Sequence, residues 1–376
     1  MFRLADGADS QVALHGVVVL GTDMSPDTWP ALPTVATAGR FAPKPRRTVV
    51  AVDRRSLERW SAALGGAALA GTFFLYVNVW VTPRYYSGDL DLWVRSVVDG
   101  TATAPYQYRV LVPALLVWLT DHAGASMAQA TIVVDGSALA LGTALGFHLL
   151  RKSGLAVYAL PAAVYCGWLG LGLLNYAKPE TLVAFAAVTA AANVVAHDAG
   201  GRARWLVVVV AAVVLAGCRT DLLVALGVGF GVRAWQRRSV VDAGAALALV
   251  VTALAATVAL LVRYPDAKYP EGVHVVQLQH NLTAIPVVLL AAFLLPALGP
   301  LVLARAPRVR REVLDVASRY AALLAVVATE VVVTLVVGRT EEIRLLFPEA
   351  FLIALVGIEL WRVVVDSVDR ADAPVA

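Results

Sequence analysis

The chain has 376 residues, of which 59% are hydrophobic and only 15% are charged. Soluble proteins are roughly 45–50% apolar and about 25% charged, so this composition excludes a disordered chain, a collagen and an ordinary soluble enzyme and predicts a polytopic membrane protein. Two cysteines exclude a disulfide framework or a Cys-rich zinc site. The net charge of +4 does not indicate nucleic-acid binding, because cytoplasmic loops of membrane proteins collect Arg and Lys.

The N-terminal region lacks the pattern of a secretory signal peptide. Residues 1–55 mix polar, apolar and Pro residues and end in a basic stretch. We expect a poorly ordered cytoplasmic leader or, for part of it, an over-extended gene start. The transmembrane domain is predicted over residues 56–365, and residues 366–376 are predicted to form a cytoplasmic tail.

Ten apolar runs are candidate membrane spans. Two of them, 205–217 and 222–232, are short for the roughly 20 residues that a helix needs to cross a bilayer. Arg219 and Asp221 lie between these two runs, so we expect a helical hairpin that does not fully reach one face. The ten runs are 60–82, 127–150, 154–174, 181–197, 205–217, 222–232, 240–262, 284–304, 320–337 and 345–361.

The basic loops predict an orientation. If each run crosses once, all of these loops fall on one side, which the positive-inside rule identifies as the cytoplasm. The apolar run 108–120 then cannot be a span, and we expect it to lie at the outer interface. Both termini are predicted to be cytoplasmic. The basic groups lie in the leader and at 151–152, 202–204, 233–238 and 305–319.

The predicted outer segments hold most of the remaining ionisable and amide groups. Charged side chains at membrane level are costly and usually mark a water-filled, functional cavity. These groups gather at the outer ends of helices, so the sequence predicts one polar chamber that opens at the outer membrane face. The outer segments are 83–126, 175–180, 218–221, 263–281 and 338–344.

The first outer loop is the most informative of these segments. Asp89 follows the first span closely and shares a helix face with Leu92 and Trp93. Gly88-Asp89 before an apolar-periodic run is also an ordinary helix start, in which Asp89 is an N-cap. A role as N-cap is compatible with a functional role of the Asp89 carboxylate. Asp91 is more typical of a solvated helix face, and the alternative is a catalytic role in contact with a metal or the substrate.

This loop resembles that of the GT-C superfamily of integral-membrane glycosyltransferases. In several branches an essential Asp is followed by two residues, an apolar residue and an aromatic, and then by a Gly, a Pro-Tyr pair and a Tyr-Arg-x-Leu-x-Pro run. This chain has Asp89 with Leu92-Trp93, then Gly100, Pro105-Tyr106 and the run 108–113. The aromatic is Trp where many relatives have Tyr. With the topology, the resemblance covers roughly residues 55–365.

The resemblance implies an all-α polytopic fold with juxtamembrane helices in the first outer loop. It implies a sugar donor linked to a polyprenyl phosphate, a lipid, glycan or protein acceptor, and inversion at the anomeric carbon with Asp89 as general base. Some branches use Mg²⁺ or Mn²⁺, which Asp89 and Asp91 could hold through oxygen ligands. No Walker-type or Rossmann motif is visible, which argues against a cytosolic sugar-nucleotide donor.

Polar residues in the first two outer segments are candidates for substrate binding. Arg109 begins the interfacial run, where it either contacts substrate beside Tyr106 and Tyr108 or snorkels to the interface. Lys178 and Glu180 either pair as surface charges or leave Lys178 to bind a phosphate.

Later outer segments add further candidates. A buried Arg219 needs an anionic partner, which is either Asp221 or a lipid phosphate. His280 lies in a loop rich in the aromatic and amide groups that bind sugars. Glu341 and Arg344 either form an i, i+3 ion pair or, as the resemblance implies, lie near the lipid-phosphate site.

Two other classes of function remain open. A transporter or lipid flippase is expected to show charges near mid-membrane, and Asp135 and Glu330 are acids inside predicted spans. A membrane thiol transpeptidase of the exosortase kind would use Cys218 as nucleophile beside Arg219. However, a Cys among apolar neighbours is usually inert.

Overall fold

The computed structural model describes residues 53–104, 106–176, 180–197, 201–267, 276–337 and 343–371. The predicted all-α class is confirmed, since regular structure in these ranges is helical and includes no strand. The N-terminal leader, apart from its last three residues, lies outside the described residues. Helix α17 continues to Ala371, so the predicted domain boundary at 365 falls within this helix.

The α-helices are numbered in chain order. Their bounds are α1 Arg54–Tyr76, α2 Thr82–Ser87, α3 Asp89–Val98, α4 Leu111–Ala123, α5 Met127–Lys152, α6 Ala159–Gly170, α7 Leu173–Tyr176, α8 Glu180–Ala196, α9 Gly201–Cys218, α10 Thr220–Arg237, α11 Val240–Arg263, α12 Leu278–Asn281, α13 Ala284–Leu298, α14 Pro300–Leu303, α15 Pro307–Arg319, α16 Ala321–Val337 and α17 Ala350–Ala371. Short 3₁₀ segments precede α4, α6 and α17 at Tyr106–Tyr108, Ala156–Tyr158 and Ile343–Glu349.

Several helices are long and apolar enough to cross a membrane, which confirms the membrane-protein prediction. Four described helices meet this criterion, and a fifth span exists if α15 and α16, which meet at 83°, count as one broken span. The first, Arg54–Tyr86, combines α1 and α2 through a π-helical turn at Val77–Val81. The others are Met127–Lys152, Gly201–Cys218 and Val240–Arg263. The remaining apolar helices are shorter, so the count of ten crossings stays a prediction.

Helix boundaries differ from the apolar runs around the expected hairpin. Helices α9 and α10 have 18 residues each and are longer than the runs 205–217 and 222–232. They extend past the apolar residues because the side chains of Arg204 and Arg233 both bind Asp242, at 2.8 and 3.2 Å. Charges that would otherwise end an apolar helix are thereby neutralised inside it.

The predicted basic loops meet at one end of the helices. The buried Arg233 side chain donates hydrogen bonds to carbonyl groups at the end of α8, including His197 at 3.3 Å. Arg54 reaches the carbonyl of Gly154 at 3.4 Å, and Gln236 reaches that of Ser318 at 2.9 Å. These contacts join the starts and ends of helices that the alternating topology assigns to the cytoplasmic side.

Close packing at the centre depends on two glycines of α5. Gly142 lies against the ring of Phe185 on α8, and Gly146 lies against the ring of Phe351 on α17. These two rings are stacked, with centroids 5.7 Å apart. Small residues at such positions allow membrane helices to approach closely.

Replacing Gly146 by Ala is expected to destabilise the protein. The added Cβ would overlap the Phe351 ring, and overpacking of this kind costs about 1–3 kcal/mol. The matched control is Gly71→Ala in α1, where no atom lies within 4 Å of the added Cβ and Ala is the better helix former. Thermal unfolding in detergent should show a lower midpoint for Gly146→Ala alone, and equal midpoints would contradict this packing.

Candidate functional site

The first outer loop begins at a sharp turn after the first long helix. Gly88 adopts φ 80°, a left-handed conformation that ends α2 and lets α3 start at once. Leu90, Val94 and Val97 are the buried face of α3. The Asp89 carboxylate is exposed and accepts a hydrogen bond from the Ser87 hydroxyl at 2.9 Å.

Asp89 is the first helical residue, not the N-cap. Gly88 occupies the N-cap position and has no side chain to cap the helix. An acidic group in the first turn is favourable because it faces the positive end of the helix dipole. The carboxylate is therefore compatible with helix stability while its exposed oxygens stay accessible to a ligand.

Asp91 is engaged differently from Asp89. Its carboxylate pairs with Arg95 at 3.1 Å, and Arg95 also binds Asp121 of α4 at 3.1 Å. The hydrogen bond from Arg95 holds the pKa of Asp121 below its usual value. Within the described ranges, no three His, Cys, Asp or Glu side chains converge. Binding of Mg²⁺ or Mn²⁺ by Asp89 and Asp91 stays a prediction.

The second half of the loop is fixed to the start of α8 and to the turn that follows α11. The buried Gln107 side chain donates to the carbonyl of Val97 at 2.7 Å, which closes the loop on α3. The Tyr108 hydroxyl donates to the carbonyl of Ala267 at 3.5 Å. Arg109 pairs with Glu180, the first residue of α8, at 2.7 Å, and its guanidinium lies 5.8 Å from the Tyr106 ring centroid.

A buried charged group, which we call the Arg219 cluster, consists of Arg219, Asp221, Glu330 and Glu349. Arg219 has extended backbone at the break between α9 and α10. Its guanidinium binds Asp221 of α10 and Glu330 of α16, and it donates to the carbonyl of Leu345 at 2.8 Å. Of the two partners predicted for a buried Arg219, the structure contains the internal one, Asp221.

Glu349 completes the Arg219 cluster without a hydrogen bond. It ends the 3₁₀ segment before α17 and is fully buried. Its charge interacts with those of Arg219 and Glu330. Neither of its carboxyl oxygens has a hydrogen-bond partner.

A second buried acid lies near the Arg109–Glu180 pair. Asp135 of α5 accepts a hydrogen bond from the Tyr76 hydroxyl at 2.7 Å. One oxygen of Asp135 and one of Glu180 have no partner, and the two acids interact electrostatically. In the sequence, Tyr76 and Glu349 are polar residues inside long apolar runs. An acid inside such a run indicates a functional site, so Glu349 could have been found from the sequence, whereas Tyr is common in apolar runs and gives little indication.

The predicted site residues separate into three groups. Arg109 pairs with the buried Glu180, and the buried Arg219 pairs with the half-buried Asp221. Asp89 and Asp91 bond only within α3 and its immediate surroundings. His280 is exposed in α12. Lys178, Glu341 and the side chain of Arg344 lie outside the described residues.

The thiol of Cys218 is poorly placed for nucleophilic chemistry. Cys218 is 1% exposed and belongs to the hydrophobic core. A reactive cysteine needs an accessible thiolate, so the geometry gives no support to a thiol transpeptidase.

Comparison of the chain with protein-family models, with curated proteins and with solved structures finds no match. A functional assignment therefore depends on the residues of this chain. The residues that bear on chemistry lie at the end of the helices that carries the loop from Gly88 to Val110, which we call the loop-bearing end. They are the exposed Asp89 carboxylate, the Arg109–Glu180 pair with the nearby Asp135, and the Arg219 cluster.

Arg219→Met is expected to be far more destabilising than Arg95→Met. Removing one partner from a buried ion pair leaves uncompensated charge and costs about 3–5 kcal/mol, whereas an exposed pair contributes less than about 1 kcal/mol. Arg219 is buried, and the Arg95 side chain is 41% exposed. Denaturant unfolding in detergent measures both variants, and similar small losses would show that the Arg219 cluster does not stabilise the fold.

Proposed function

We propose that this protein is a GT-C-type membrane glycosyltransferase that moves a sugar from a polyprenyl phosphate to a lipid, glycan or protein acceptor at the outer membrane face. The observation that carries the proposal is Asp89. It is an exposed carboxylate on the first turn of a short helix, directly after the first membrane-length helix, and no cation neutralises it within the described residues.

The form of the first loop supports this proposal. Helices α3 and α4 have 10 and 13 residues and are therefore about 15 and 20 Å long, too short to cross a hydrocarbon core of roughly 30 Å. They pack against each other and are joined by the Arg95–Asp121 pair. Juxtamembrane helices of this kind give a catalytic carboxylate a rigid support.

In the proposed reaction, Asp89 takes the proton of an acceptor hydroxyl as that oxygen attacks the anomeric carbon. The bond from this carbon to the phosphate oxygen breaks, and the configuration inverts. The Ser87 hydroxyl orients the carboxylate through its 2.9 Å hydrogen bond. A positioned general base of this kind contributes roughly 10²–10⁴-fold in rate.

Cations must also stabilise the departing phosphate. Arg109 and Arg219 already bind acids inside the protein, so a role for either at the phosphate requires that it exchange partners. Lys178 and Arg344 are the other cations proposed for this task. The donor's polyprenyl tail would lie in the bilayer beside the helices.

We further propose ten crossings, with the basic end in the cytoplasm. Each crossing then joins the end that holds Arg233 to the end that holds the Arg219 cluster. The crossings are α1, α5, α6 together with the flanking Ala156–Tyr158 turn and α7, α8, α9, α10, α11, α13 together with α14, α16 and α17. Helix α15 lies at the cytoplasmic interface. The strong segregation of basic side chains supports this orientation.

Cysteine labelling in intact cells tests the orientation. Asp99→Cys in the first loop should react with an impermeant maleimide, and Arg202→Cys at the start of α9 should react only after the membrane is opened. Both positions are exposed, whereas the native Cys166 and Cys218 are buried and supply little background. The reverse labelling pattern would overturn the proposed sidedness.

Sugar transfer by the protein in lipid nanodiscs tests the reaction. The donors are a panel of radiolabelled polyprenyl-phosphate sugars, and total membrane lipid supplies the acceptor. Asp89→Asn should lower the rate by at least about 100-fold because the general base is lost. The matched control, Asp91→Asn, should retain activity since Arg95 already occupies that carboxylate.

The other outcomes are equally informative. Full activity in Asp89→Asn would remove Asp89 as the base and direct attention to Asp91, Glu341 and His280. No transfer from any donor by the folded wild-type protein would favour the transporter or flippase, whose candidate residues are the buried acids Asp135 and Glu330.

A further inference from the structure

The buried charges at the loop-bearing end are strongly unbalanced. Among the side chains that the structure describes here, five carboxyl groups accompany two guanidinium groups, those of Arg109 and Arg219. Four of the acids are 0% exposed, and Asp221 is the more accessible exception. The five acids are Asp135, Glu180, Asp221, Glu330 and Glu349. A buried set with this excess of acid retains protons or binds another cation, because unpaired buried charge is very costly.

Glu349 is the acid with the fewest interactions. It is 0% exposed, and neither carboxyl oxygen accepts a hydrogen bond. The guanidinium of Arg219 is already engaged with Asp221, Glu330 and the carbonyl of Leu345. An ionised Glu349 would therefore lie beside a cation whose hydrogen bonds go to other groups.

The described side chains of the elements packed around Glu349 include no second cation that contacts it. The 3₁₀ segment that ends at Glu349 packs against α6, α8, α16 and α17. Its charged neighbours are Arg219, Asp221 and Glu330. On α8, Glu180 is already paired with Arg109. On α6, the titratable groups are the Tyr165 hydroxyl, which donates to a backbone carbonyl, and the buried Cys166 thiol.

A divalent metal does not fit this position. Three protein ligands of the metal-binding types do not converge anywhere in the described ranges. A proton requires only one carboxyl oxygen and makes the buried group neutral, which removes most of the cost of burial. The proton is therefore the cation that this geometry accommodates.

We propose that Glu349 is a proton-binding site, occupied at neutral pH, that controls the Arg219 cluster. With the proton bound, Arg219 bridges α10, α16 and the segment before α17 through Asp221, Glu330 and Leu345. Release of the proton places another anion beside Arg219, which then competes with Glu330 and Asp221 for the guanidinium. The bridge loosens as the pH rises. This proposal does not depend on the transferase activity.

Infrared spectroscopy of the whole protein in nanodiscs tests the site directly. Wild type should show the C=O stretch of a protonated carboxyl group at neutral pH, and this band should disappear on titration to alkaline pH. Glu349→Gln should lose the component of this band that Glu349 contributes, whereas any component from the other buried acids, such as Asp135, should remain. The matched control is Glu359→Gln on α17, which removes an ion pair with Arg362 and should leave the band unchanged.

A second measurement does not depend on how the variants fold. Wild type grown with glutamate labelled with ¹³C at the side-chain carboxyl should show the component assigned to Glu349 at a shifted frequency, whereas labelled aspartate should leave that component in place. Absence of a protonated-carboxyl band in wild type overturns the proposal. So does a band that Glu349→Gln leaves unchanged, including the case in which Glu330→Gln lowers it.

Unfolding experiments separate a neutral Glu349 from an ionised one. Gln resembles the neutral acid, so Glu349→Gln should unfold at the same or a higher temperature than wild type at neutral pH. It should also lack the loss of stability that wild type shows as the pH rises above the ordinary pKa of glutamate, a loss that ends when the folded site releases its proton, because over that range only the folded state holds the proton. A variant that unfolds at a lower temperature, with the wild-type pH dependence, would identify Glu349 as an ionised partner of Arg219 and overturn the proposal.

Discussion

The neutralisation of Arg219 is the interaction on which the loop-bearing end depends. This guanidinium lies where α9 and α10 separate, and it contacts groups from α10, α16 and the turn before α17. In a membrane no water is available to satisfy such groups, so each hydrogen bond must come from the protein. One side chain therefore determines where three segments, far apart in sequence, lie relative to one another.

The opposite end uses the same solution with different residues. Arg233 binds Asp242 and the carbonyls that end α8, and Arg204 binds the second oxygen of Asp242. At that end two arginines share one buried acid, and the surrounding loops are basic. At the loop-bearing end, the described buried side chains include more acids than arginines. This asymmetry is a physical reason to place binding chemistry at the Arg219 end and anchoring at the Arg233 end.

Much of the architecture could be predicted from the sequence because it depends on local patterns. Apolar runs predict the helices, and basic clusters predict which ends meet. Gly88 before Asp89 predicts the start of α3. The partners within the buried clusters could not be predicted, since Arg219 and Glu330 are 111 residues apart and Tyr76 and Asp135 are 59 apart. Spacing along one helix carries no information on such contacts.

The lengths of helices that include charge could not be predicted from the apolar runs. Runs 205–217 and 222–232 predict short helices, whereas α9 and α10 have 18 residues each. Paired with Asp242, Arg204 and Arg233 instead continue their helices. Whether a charge ends an apolar helix thus depends on a partner that only the fold supplies.

Exposed and buried acids at this end are suited to different chemistry. A general base must reach an acceptor hydroxyl, and Asp89 is exposed with only Ser87 as a partner. Glu349 is closed off from solvent and substrate, so it can hold a proton but cannot take one from an acceptor. Loss of Asp89 is expected to lower transfer and to leave the pH dependence of stability intact, whereas loss of Glu349 is expected to remove that pH dependence. The two carboxyl groups are therefore separable by experiment, because access to solvent and not residue type determines what each one does.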